Sequence, residues 1–212
     1  MLLEDSSCRK FNILVFRGDP PQREWYRFLN GIIEGADAYR KVEELYTIGG
    51  MVIAVAHTMP HHFFAVFNSP AMKKRVSRYH LERGIDYQTP SGQRPTLNSF
   101  LLWVVKRRNL SGVNVWVAMS FYSLAVGDAL AQRVVLEFFN QRFKLGIDLS
   151  DLDEEIKGQS EKITHARIRS PEIDEYLINL RGHRVYQGNK MLPWLRRWRS
   201  YLKRAIDFCS AE

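Results

Sequence analysis

Apolar residues in this chain come in short unbroken runs and then at helical spacing, and the two patterns alternate as far as Asp148. Phe11–Phe16 (FNILVF) is a nearly continuous apolar run, which predicts a strand buried on both faces. Asp19 followed by Pro20 and Pro21 predicts a helix start, a capping side chain ahead of residues whose φ is already fixed. Trp25, Phe28, Leu29, Ile32 and Ile33 then recur at helical spacing, so an amphipathic helix is expected over roughly 20–38. Glu44–Ile48 reads as a second strand closed by Gly49-Gly50. Met51–Ala56 and Phe63–Phe67 read as further strands, with a turn around Pro60 between them.

Past Asn68 the pattern weakens. Ser69–Asp86 is basic and predicts a short surface helix with a loop, and Tyr87–Pro95 (YQTPSGQRP) is turn chemistry throughout. Thr96 is placed to cap a helix through Arg108 that turns Phe100, Leu101, Val104 and Val105 inward. Val113–Met119 (VNVWVAM) has the clearest strand pattern, and Asp128 opens a long helix to about Lys144. Alternating strands and helices predict an α/β domain whose sheet contains parallel pairs and carries helices on its faces. Beyond Asp148 the chain reads as helical: an acidic helix over Leu149–Glu161, another over Pro171–Leu180 and a third over Pro193–Phe208. The expected organisation is an α/β domain over 1–168 and a helical extension over 169–212.

Composition adds little until the charge is located. With 45% hydrophobic and 25% charged residues the chain is an ordinary globular sequence. Its formal net charge is +8, yet from Arg181 onward eight Lys and Arg face only Asp207 and Glu212, so most of the excess belongs to the C-terminal end. Cys8 and Cys209 are far apart in sequence and lack metal-ligand spacing, which predicts two free thiols in a reducing, cytoplasmic setting. No apolar run reaches the roughly 20 residues of a membrane span, and the acidic start does not read as a signal peptide.

Phosphate-cradling glycine loops, GxSxG, HExxH and CxxC are absent from the sequence. Four constellations remain. Gly49 and Gly50 at a strand end either make a tight turn or let a ligand approach the backbone. His57, Thr58, His61 and His62 surround a turn. Imidazoles there could shuttle protons or hold a metal, but the set lacks a full complement of ligands, and no metal or cofactor is expected. Tyr87 and Ser91 lie in a loop that could rim a pocket or act as a rigid connector. The last constellation is the C-terminal helix, where Trp194, Trp198 and Tyr201 share an apolar face and Arg197 and Arg204 occupy the rest. Such a helix packs on its own protein, docks on a protein partner, or lies on an anionic membrane; a near-neutral body makes nucleic acid the weakest reading.

Read in order, these segments resemble the proteasome assembly chaperone family, of the second chaperone's type. The resemblance rests on Phe11–Phe28 (FNILVFRGDPPQREWYRF), Leu45–Pro60 (LYTIGGMVIAVAHTMP), the Tyr87–Gly92 loop, Val115–Phe139 and Gly146–Ile163 (GIDLSDLDEEIKGQSEKI), together spanning roughly residues 11–165. It implies a three-layer α/β fold of the phosphorylase/hydrolase-like kind with a mixed sheet. It further implies self-association and a protein partner, either proteasome subunits or an AAA-type ATPase. Some family members carry an ATP-grasp-like label, so the alternative is a ligase-like or hydrolase-like enzyme with a pocket near Gly49, His57 and Tyr87. The chain departs from the family where Ser120-Phe121-Tyr122 replaces a Pro-His-Tyr, which leaves Tyr122 as the site candidate there; where Gly127-Asp128 replaces Asn-Pro; and where Thr89 replaces a glycine. The family's usual strands ahead of the segment matching Phe11 are not seen in the sequence, as expected either of a truncated reading frame or of a shortened variant whose missing edge a partner completes.

Overall fold

The computed structural model describes residues 11–53, 56–59, 61–77, 79, 92, 94–120, 123, 127–169, 171, 174, 175, 177 and 178. Among them lie three strands, β1 (Glu44–Ile53), β2 (Phe63–Phe67) and β3 (Ser111–Ser120), and five helices, α1 (Trp25–Tyr39), α2 (Pro70–Val76), α3 (Leu97–Arg107), α4 (Ala129–Phe143) and α5 (Ser150–Arg169).

The strands form one sheet in the order β1-β3-β2. Thr47 meets Asn114 and Gly49 meets Trp116, positions that advance together, so β1 and β3 are parallel. Asn68 donates to Gly112 and His62 accepts from Ala118, positions that run oppositely, so β2 is antiparallel to β3. The sheet is therefore mixed.

Contacts group the chain into two units. One comprises Met1–Gly49, Phe63–Trp116 and Phe138–Gly146; the other comprises Gly50–His62, Val117–Glu137 and Ile147–Glu212. In the first unit, alternation along the strands sorts side chains to two faces. Leu45 and Val66 pack against Leu29 and Ile33 of α1 and Leu102, Val104 and Val105 of α3. Their neighbours on the opposite face, Tyr46 and Phe63, meet the rings of Phe138, Phe139 and Phe143 on α4. Helices thus cover both faces of the sheet here, and each buried Val, Leu or Ile contributes about 1.5–3 kcal/mol. In the second unit Ile163 and Ala166 of α5 and Leu177 are buried. Among the described residues no helix is long and apolar enough to cross a membrane.

Local chemistry sets most boundaries. Ser69 and Thr96 cap α2 and α3 by accepting from the backbone N–H of Met72 and Ser99. Helix α3 ends as Leu110 N–H reaches back to Val105 O across Asn109, whose φ is 55°. Lys144, at φ 52°, ends α4 in the same way, with Leu145 N–H on Asn140 O.

Several expectations need correction. Phe11–Phe16 is not a strand. A ladder needs a paired neighbour, and ring contacts hold this segment instead: Phe11 lies 5.1 Å from Phe143 and Phe16 6.2 Å from Phe28. It is not buried either, since Leu14 is 63% and Val15 82% exposed. Helix α1 starts at Trp25, well past the prolines. Each residue that precedes a proline is pushed out of helical geometry, which removes Asp19 and Pro20. The turn closes instead with Glu24 at φ 56° and the Trp25 indole N–H donating to Pro21 O at 2.7 Å. Gly49 and Gly50 do not close a strand; they lie inside β1. The acidic helix runs on to Arg169 because Ile163 and Ala166 give it a buried side. The helix expected over 171–180 is described at only five positions, all helical, and the one over 193–208 lies outside the described residues.

Candidate functional site

Gly49 and Gly50 are there because of their neighbours on β3. A Cβ at Gly49 would stand 2.8 Å from the Trp116 ring, and one at Gly50 would collide with the Met119 sulfur. The pair lets two large β3 side chains lie flat on β1, a packing reason for glycine that requires no ligand.

After β1 the chain makes a turn in which Met59 N–H donates to Ala56 O at 2.9 Å. His57 is half-buried and Thr58 exposed on it. His61 is not solvated, as a histidine beside a turn would be expected to be: its side chain is 0% exposed and that of Asp128 is 2% exposed. Nε2 of His61 lies 3.1 and 3.0 Å from the two Asp128 carboxylate oxygens, and Nδ1 lies 3.2 Å from Met59 O. Asp128 also caps α4, accepting from Ala131 N–H at 3.0 Å. Next to it Gly127, at φ 84°, offers its carbonyl to Gln159 of α5 at 2.6 Å.

Both ring nitrogens of His61 face acceptors, so the imidazole is fully hydrogen-bonded only when it carries both protons. Burial opposes that charge, but the Asp128 hydrogen bond and charge together with the Met59 carbonyl outweigh it and hold His61 above the ordinary histidine range. Burial likewise opposes the Asp128 charge. The His61 hydrogen bond, the Ala131 N–H, the His61 charge and the Ser120 N–H still bring that carboxyl below its usual range. Sealed from solvent, this ion pair is an anchor that fixes the turn carrying His57 and Thr58 to the start of α4.

A second charged cluster lies in the other unit. The Glu44 carboxylate accepts from Tyr46 Oη at 2.6 Å, Arg75 at 2.6 Å and Arg142 at 2.9 and 3.1 Å. Arg142 also donates to Tyr46 Oη, and its guanidinium lies over the rings of Phe143, Phe11 and Tyr79 at 5.0–6.0 Å. Burial, then the Glu44 hydrogen bond and charge, push the Tyr46 hydroxyl far up. Glu44 is held below the usual carboxylate range: burial acts against this, but Tyr46, Arg75 and Arg142 prevail.

Of the residues singled out from sequence, Gly49, Gly50, His57 and Thr58 fall on or directly after β1. Tyr87, Ser91, Tyr122, Trp194, Arg197, Trp198, Tyr201 and Arg204 lie outside the described residues. Among the described residues no group of three His, Cys, Asp or Glu is placed to hold a metal ion. Sequence reasoning missed both ionic clusters, whose members stand 67 and 98 positions apart. The one local signal was Asp128 as a helix cap.

The sequence model of the PAC2 family matches residues 2–166. The chain belongs to the PAC2 family. No curated protein sequence matches it. Among solved structures, a Corynebacterium glutamicum protein of unknown function superimposes with a TM-score of 0.64 at 16% identity, over 77% of this chain and 58% of that one. A proteasome-assembly chaperone homologue from Mycobacterium tuberculosis gives 0.58 at 18% identity, over 74% and 63%. The Pyrococcus furiosus protein PbaB, an archaeal proteasome activator, gives 0.52 at 18% identity, over 68% and 58%. These likenesses are of fold, and the chain spans less than two-thirds of the length of each of these proteins.

Proposed function

We propose that this PAC2 family chain is a chaperone-like protein-interaction module that self-associates and engages a protein partner, a proteasome subunit or an AAA-type ATPase. The observation that carries the reading is the family match over residues 2–166. The solved neighbours add support, since two of them are a proteasome-assembly chaperone homologue and an archaeal proteasome activator. Residues 1–168 form the module, and 169–212 form a helical extension whose Trp194, Arg197, Trp198, Tyr201 and Arg204 touch the partner. The anchored turn with His57 and Thr58, the Gly49-Gly50 stretch, Tyr87, Ser91 and Tyr122 make up the second contact region.

The test is affinity capture from lysate of the source organism, using the full chain and a version ending before Pro193, read by mass spectrometry. Enrichment of proteasome subunits or an AAA-type ATPase by the full chain, with loss in the shortened one, is the expected result. Capture by both versions moves the contact to the His57–Thr58 region. If neither retains protein above background, the interaction reading falls, and the alternative of a small-molecule enzyme with a pocket near Gly49, His57 and Tyr87 takes its place. Retention of the full chain on anionic vesicles at low salt would instead assign the extension to a membrane surface.

A further inference from the structure

We propose that the His61–Asp128 pair is a proton-operated latch that releases the Ala56–Met59 turn, and with it His57 and Thr58, when His61 loses one proton. The two bonds of the imidazole are unequal. Nε2–H points at both oxygens of an ionised carboxylate, whereas Nδ1–H points at the single neutral carbonyl of Met59. Charge-assisted hydrogen bonds are about twice as strong as neutral ones, so the proton that leaves is the one on Nδ1. The bare Nδ1 then presents a lone pair to the Met59 carbonyl lone pairs 3.2 Å away, and that contact turns repulsive. The α4 end of the link survives, because Nε2–H still meets Asp128 and Asp128 still caps Ala131. Only the turn is let go.

The described elements around the pair bring few other charges to it. The turn carries His57, and His62 follows His61 in the chain. From α4 comes Asp128 itself, with Arg133 and Glu137 further along, where Arg133 pairs with Glu137 and with Asp153 of α5. Strand β3 contributes the Ser120 N–H to Asp128, and α5 contributes Gln159, which is neutral. Burial disfavours the charged imidazole, but the Asp128 hydrogen bond and charge outweigh it and place the release above the ordinary histidine range of about 6.5.

The experiment is an NMR titration of the full chain labelled with ¹⁵N, following the two ring nitrogens of His61 and the exchange protection of the Met59 amide. Above the His61 midpoint Nδ1 takes the shift of an unprotonated ring nitrogen while Nε2 keeps its hydrogen, and the Met59 protection factor falls about tenfold, the worth of one hydrogen bond to a charged group. The Ala131 amide keeps its protection across the same range. In Asp128→Asn the Met59 step disappears or moves below the ordinary histidine range; should that variant fail to fold, the titration of the unaltered chain decides alone. The latch is overturned if Nε2 is the nitrogen that loses its hydrogen, if His61 titrates at or below its ordinary value, or if Met59 protection does not change with His61.

Discussion

Glu44 at the start of β1 and Arg142 near the end of α4 hold each other at 2.9 Å, with side chains only 14% and 10% exposed. The pair ties the edge strand to the helix that covers it, and Tyr46, donating to the same carboxylate, takes up another of its lone pairs. Arg142→Met leaves a half-buried carboxylate short of a partner. It is expected to lower stability by about 3 kcal/mol in urea unfolding. Arg75→Ala, which removes a much more exposed partner of the same carboxylate, is expected to cost less than about 1 kcal/mol.

Gly49→Ala is expected to destabilise more than Gly50→Ala. The Trp116 ring that blocks the first Cβ is rigid, whereas the Met119 side chain that blocks the second can swing aside. About 1–3 kcal/mol separates Gly49→Ala from the unaltered chain by the usual cost of overpacking. Combining it with Trp116→Leu should recover part of that loss, and thermal unfolding of the three variants measures this. Equal costs at the two positions would contradict the packing account.

Thr47 and Asn114 are buried side by side, with the Thr47 hydroxyl donating to Asn114 Oδ1 at 2.8 Å. Thr47→Val keeps the shape and strands the amide oxygen, at a cost of about 1–3 kcal/mol. The double change Thr47→Val with Asn114→Leu should cost less than the sum of the two single changes, a coupling that a double-mutant cycle reads directly.

The His61–Asp128 pair gives stability a pH signature. His61, raised in the folded chain, contributes fully below the unfolded value of about 6.5, and that contribution is lost as pH rises through the folded value. Asp128, lowered in the folded chain, contributes above the unfolded value of about 3.9 and loses its share as pH falls through the folded value. The stability gap between the unaltered chain and Asp128→Ala should therefore be widest between about pH 4 and 6.5, and reach about 3–5 kcal/mol there. Denaturant midpoints taken across pH 3–9 check the shape, and a flat difference would remove the pair from the account.

How much of this could be read ahead of the structure depends on how local the cause is. Thr96 as the cap of α3 and Asp128 as the opener of α4 are dictated by neighbours within four positions, and both were legible, as was the apolar run of β2. That the sheet contains a parallel pair followed from the alternation of strands and helices, and the family from an ordered set of segments. Phe11–Phe16 misled because an apolar run states a preference for pairing without supplying the pair. Gly49-Gly50 misled because the reason for the glycines, the Trp116 and Met119 side chains, arrives 67 or more residues later. The burial of His61 was illegible for the same reason: nothing within its own turn announces Asp128.

The sheet order has a consequence for how the chain comes off the ribosome. Strand β3 occupies the middle of the sheet, yet β1 and β2, which flank it and do not pair with each other, are both synthesised before it. Until residues 111–120 emerge, neither early strand has its partner among the described strands, and a nascent chain halted short of them displays two strands whose β3-facing edges are unmatched. Such edges are where wrong pairings begin. Among the described strands, the last to appear is thus the one that pairs with both of the others.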